Sequence, residues 1–94
     1  MLSIGQLSKH IAEAFGLTVK DIQSNSSAHL IVAAKSFVAF YSQKITPNKD
    51  AVMNYLCLSR QSYYVAIRRY FDLLYNPLYS KIAAEVEQFI MNNI

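Results

Sequence analysis

The sequence is poor in the residues that punctuate or cross-link a chain. Its 94 residues include two Gly, two Pro, one Cys and no Trp. A single cysteine, Cys57, cannot close an intrachain disulfide, which suits a reducing compartment. A disulfide scaffold and a collagen-like repeat are excluded by the same counts. Charge is scarce as well: 16% of residues are Asp, Glu, Lys or Arg, with nine cations against six anions and a net charge of +3. What is present is apolar. The chain is 53% hydrophobic and 13% aromatic, too hydrophobic for a disordered tail. The length fits one domain, residues 1–94.

Long hydrophobic runs are missing too. The most apolar stretch, residues 28–41, is interrupted by His29, Lys35 and Ser36. It falls short of the ~20 apolar residues that cross a bilayer, so no membrane partner is expected. The opening Met-Leu-Ser-Ile-Gly-Gln lacks a basic region followed by an apolar one, so the chain reads as cytoplasmic.

Hydrophobic spacing sets the class. Ile4, Leu7, Ile11 and Phe15 recur at intervals of three and four, with Ser3 as N-cap and Gly16 as C-terminal cap. Thr18 to Asp21 reads as a capping box opening one short turn. The polar run Ser24-Asn25-Ser26-Ser27 is a loop able to cap the next helix. Over 28–43, Leu30, Ala34, Phe37 and Tyr41 form a stripe that Val32, Val38 and Phe40 widen, which marks the buried centre of the domain. Pro47 breaks this helix. A short helix over 49–56 turns Val52, Met53 and Leu56 inward, and a longer one over 60–75 carries Tyr63, Ile67, Tyr70 and Leu74. After Asn76-Pro77, a last helix over 78–92 carries Ile82, Val86, Phe89 and Ile90. The expected fold is all-α, a small bundle of five to six helices containing a helix-turn-helix at about 49–75.

Residues 51–70 hold the most informative pattern. A short helix, a three-residue turn and a second helix opened by a capping serine is the layout of a helix-turn-helix, whose second helix enters the major groove N-terminus first. Tyr63, Ala66, Ile67 and Tyr70 supply its buried back. Arg60, Gln61, Ser62 and Tyr64 stand at its front as candidate base-reading residues, since Arg pairs with guanine edges and Gln with adenine edges. Lys35, Lys44, Lys49, Arg68 and Arg69 are the candidate phosphate contacts. Over residues 22–71 six cations face Asp50 alone, whereas the two ends carry three lysines against five acids. A basic centre between acidic ends suits a polyanion, here double-stranded DNA. A plain helical hairpin with a solvated basic face would give the same pattern.

The order and lengths of these elements resemble the C-terminal DNA-binding domain of the bacterial replication initiator DnaA. The likeness runs through Ile11-Ala-Glu-Ala-Phe-Gly-Leu-Thr-Val-Lys-Asp-Ile-Gln-Ser24, then Lys35-Ser-Phe-Val-Ala-Phe-Tyr41, the helix-turn-helix and the closing helix around Ile82 and Ile90. The family's reading helix opens on a Gly-Gly-Arg-Asp-His-Thr-Thr-like run. This chain has Cys57-Leu-Ser-Arg-Gln-Ser62 there, and Arg60 is the position that carries over. The family's basic loop before the central helix corresponds to the uncharged Ser24-Asn25-Ser26-Ser27. The resemblance implies DNA binding in replication or transcription control. The Gly-rich phosphate loop of that initiator's nucleotide-binding part is absent from this sequence.

Other chemistry is thinly represented. Cys57 reads as a small buried hydrophobe, and no nucleophile–base pair, metal site or cofactor loop is expected, so the chain does not read as an enzyme. His10 and His29 lie on different helices without a third ligand at metal spacing, though His29 stands where it could meet a phosphate. Glu85 and Glu87 fall on different helix faces and read as solvated. Seven tyrosines raise the question of base stacking, but Tyr63 and Tyr70 belong to the core stripe. The rival reading is a helical protein–protein module, using Tyr and Leu side chains of the last helix against a homodimer mate or another chain.

Overall fold

The computed structural model describes residues 2–93, and over these the chain is all-helical. Six helices follow in order: α1 (Ile4–Phe15), α2 (Val19–Ile22), α3 (His29–Ser42), α4 (Lys49–Leu56), α5 (Arg60–Leu73) and α6 (Pro77–Asn92). Among the described residues no helix is long and apolar enough to cross a membrane.

The helix ends follow from local chemistry. Ser3 Oγ accepts the Gln6 amide at 3.1 Å while the Gln6 side chain accepts the Ser3 amide at 2.8 Å, so two otherwise orphaned donors are satisfied reciprocally. Gly16, at φ 71°, closes α1 in the left-handed region. Thr18 and Asp21 repeat the reciprocal cap on α2. The loop before α3 behaves differently from expectation. Ala28 is the N-cap of α3 and gives it no side-chain bond. The Ser24 and Ser26 hydroxyls instead accept the Ser26 and Ala28 amides, which stiffens the loop itself.

The third helix is the centre of the molecule, as its apolar content implies. From Ala33 to Ala39 every residue is buried, so this stretch has no solvent face. It packs most extensively on α5 and next on α1. Leu30 is a correction to the expected stripe: in the first turn of α3 it projects beyond the core and is 45% exposed. Inside, Phe37 meets Phe15 and Tyr70 edge-on with centroids 5.1 Å apart, and Phe40 stacks on Tyr70 at 4.0 Å. The hydroxyls of Tyr41 and Tyr70 pair within this core, with the Ala83 carbonyl and the Glu87 carboxylate 3.3 Å from Tyr41 Oη. Glu87 is therefore tied to the core rather than simply solvated. Helices α1 and α6 meet through a stack of His10 on Phe89, with centroids 3.9 Å apart and planes 7° from parallel. Leu2, Gln6 and Asn93 line a shallow hollow beside that stack.

Candidate nucleic-acid interface

The α4–α5 unit is built by three caps in a row. Asn48 Oδ1 accepts the Ala51 amide at 3.0 Å and opens α4. Cys57 closes α4 at φ 57°, ψ 42°, the one non-glycine among the described residues with positive φ. The Leu58 amide then reaches back to the Met53 carbonyl at 2.9 Å. Ser59 Oγ accepts the Ser62 amide at 3.2 Å and opens α5. Three residues thus separate two helices. Val52, Met53 and Leu56 of α4 and Tyr63, Ala66 and Tyr70 of α5 are buried, while Ile67 packs half-buried against them.

Cys57 is corrected by this geometry. It is exposed, because a left-handed C-terminal cap projects its side chain away from the helix it ends. Lys35 is the second correction. It is 6% exposed, and its Nζ donates to the Leu56 carbonyl at 2.9 Å and to the Ser24 carbonyl at 2.5 Å. The ammonium therefore clasps the end of α4 to the serine loop and is withdrawn from any phosphate. The Leu56 carbonyl is one of the orphaned acceptors at a helix C-terminus, where a cation is favoured. Burial pushes the Lys35 ammonium below the ordinary lysine value, and the neighbouring Cys57 thiol pulls it partly back.

The remaining candidates divide around α5. Gln61, Tyr64 and Arg68, spaced i, i+3 and i+7, share one exposed face opposite the buried Tyr63 and Tyr70. Arg60 is exposed at the first position of the helix. Ser62 and Arg69 lie to one side, where together with Gln61 they line a cleft of about 360 Å³ with Ser26, Ser27, Lys35 and Cys57. None of the described residues lining this cleft is acidic. The Ser62 hydroxyl is already engaged by Ser59 Oγ at 3.1 Å, so its first role is in the cap. On the other side, Lys49 Nζ donates to Tyr64 Oη at 3.3 Å and stands 5.6 Å from the ring centroid. Lys44 Nζ stands 5.6 Å from the centroid of Phe40. Eight of the nine candidates thus remain accessible on or beside α4 and α5, and Lys35 does not.

Phe71 is a further exposed residue of α5, absent from the sequence candidates. It is 52% exposed and follows Tyr64 by seven residues on α5. The signal was its position outside the Tyr63–Tyr70 stripe. The histidines do not converge: His10 stacks on Phe89, and His29, exposed at the start of α3, faces Tyr79 at 6.1 Å. Among the described residues no three His, Cys, Asp or Glu side chains gather as a metal cluster. Comparison of the chain with protein-family models, curated proteins and solved structures gives no match.

Proposed function

We propose that the domain binds double-stranded DNA through α4 and α5, with α5 as the reading helix. One observation carries this reading: a capped helix, a three-residue turn and a second capped helix present Gln61, Tyr64 and Arg68 on one open face. Arg60 and Gln61 have the donor and acceptor patterns that distinguish guanine and adenine edges. Lys44, Lys49, Arg68 and Arg69 are the cations available for phosphates around that face. The resemblance of the sequence to the DnaA C-terminal domain makes replication or transcription control the process proposed.

The test is a binding titration on duplex DNA at several salt concentrations. Each phosphate contact adds about 0.9 to the slope of log affinity against log salt, so replacing Arg68 and Arg69 together by Ala should lower that slope by about 2. Affinity should fall for every sequence, whereas Arg60→Ala should relax preference at one base step, at a cost of about 1–3 kcal/mol. Absence of duplex binding at low salt removes the reading.

A second reading, a protein–protein module, is favoured by one observation. Tyr75, between α5 and α6, is 89% exposed and Leu78 in the first turn of α6 is 59% exposed, whereas Tyr79, the tyrosine within α6, is buried and offers nothing to a partner. It calls for self-association or a bound partner, which light scattering of the purified chain and of a Tyr75→Ser, Leu78→Ser variant separates from the first.

A further inference from the structure

The side of α5 turned toward Lys44 and Lys49 carries more aromatic surface than duplex reading requires. Phe71 is 52% exposed and Tyr64 42%. Seven residues apart, they stand on one side of the helix two turns from each other, about 10 Å at 1.5 Å per residue. Two ammonium groups stand on this side. Lys49 stands at Tyr64, and Lys44 covers Phe40, whose ring meets Phe71 edge-on with centroids 5.2 Å apart. Arg68 is exposed one turn from both rings. Asp72 follows Phe71 directly, but one residue of helical rotation carries it about 100° away, to the face of Arg68 one turn earlier. Asp50 lies on α4, next to Lys49 in sequence.

Paired bases are stacked within B-DNA and offer a protein their edges in the grooves. An exposed ring therefore has no π face to meet on an intact duplex. Unpaired bases present such faces, and each is joined to a phosphate. Aromatic platforms beside cations are the chemistry that holds single strands without regard to sequence. A protein partner is a poorer fit, because interface cores are depleted in lysine and here Lys49 lies at Tyr64 and Lys44 at Phe40 beside Phe71. We propose that the Tyr64–Phe71 side of α5, flanked by Lys44 and Lys49, binds single-stranded DNA, its rings stacking on unpaired bases while the ammonium groups meet phosphates. This surface does not depend on the duplex reading, although it shares Tyr64 with it.

The experiment measures fluorescence anisotropy of a labelled oligo(dT) strand and, separately, of a labelled duplex hairpin with the full chain at low salt. Phe71→Ala should weaken oligo(dT) binding about 5- to 150-fold, the loss expected for one stacked base. Phe71→Leu, which keeps apolar bulk without a π face, should weaken it similarly, and Phe71→Tyr should retain it. All three variants should bind the duplex as the native chain does. Where a Phe71 variant fails to fold, Lys44→Gln decides, with an expected fall of about 0.7 in the salt slope on oligo(dT). No binding of oligo(dT) by the native chain overturns the proposal, as do equal losses on both DNAs, loss in Phe71→Tyr, or an unchanged slope in Lys44→Gln. Loss of duplex binding alone removes the duplex reading and leaves this one standing.

Discussion

The two sides of α5 use lysine in opposite ways. On the cleft side Lys35 is buried, and two carbonyl groups hold its ammonium between the serine loop and the end of α4. On the aromatic side Lys44 and Lys49 remain exposed, with their charges resting on rings and open to solvent. The first lysine is part of the fold. The other two are held by weak contacts that a phosphate can share. A charge count assigns all three to one basic patch, whereas burial separates a structural cation from available ones.

Replacing the lysines one at a time should break that symmetry. Lys35→Met should cost about 2 kcal/mol of stability, because the Leu56 and Ser24 carbonyls lose their donor in a buried setting. It should also remove a pH dependence. The folded state holds the Lys35 proton less tightly than the ordinary value of 10.5, so between the lowered value and 10.5 the unfolded chain binds more protons and stability rises with pH. Denaturant titrations of both chains from neutral to alkaline pH check both effects.

Beneath the aromatic side, Tyr41→Phe should cost about 1 kcal/mol at neutral pH by deleting the hydroxyl that meets Tyr70 and Glu87. Burial first, and then the Tyr70 hydroxyl, raise the Tyr41 phenol far above its ordinary value of 10.0; burial likewise raises Tyr63 and Tyr70. Above pH 10 the unfolded chain therefore releases phenolic protons that the folded chain keeps, and stability falls. The fall should be shallower in Tyr41→Phe. Smallest of all, Lys49→Met should change stability by about 0.5 kcal/mol, the worth of an exposed cation–π contact. On duplex DNA the same change should lower the salt slope by about 0.9. A stability loss in Lys49→Met as large as that in Lys35→Met would erase the distinction between the two sides.

Much of this architecture is legible in the sequence because it is local. Ser3, Gly16, Thr18 and Ser59 act within a turn of their own positions, so spacing places them. The inward set of α4 follows from period alone. For Lys35 the pattern holds two opposed signals: its charge suggests a phosphate contact, but a lysine within the buried central helix has no solvent face to use. Its partners are 11 and 21 residues away, and no periodicity reports such contacts. For Cys57 residue type favours burial, while its place at a left-handed cap dictates exposure. Of the candidate site, the α5 face was legible from helical rotation. Phe71 falls on that face by the same rotation, seven residues after Tyr64, whereas its packing against Phe40 and Tyr70 rests on tertiary contacts.

The stack of His10 on Phe89 has a consequence for assembly. It joins the first helix to the last, so closing it closes a loop of nearly the whole chain, whereas the α3–α5 pairing spans far fewer residues. Closure entropy grows only as the logarithm of loop length, but it is spent before the contact rewards it. The α1–α6 contact is therefore the seam of the domain, and the α4–α5 turn lies well inside the loop that this seam completes.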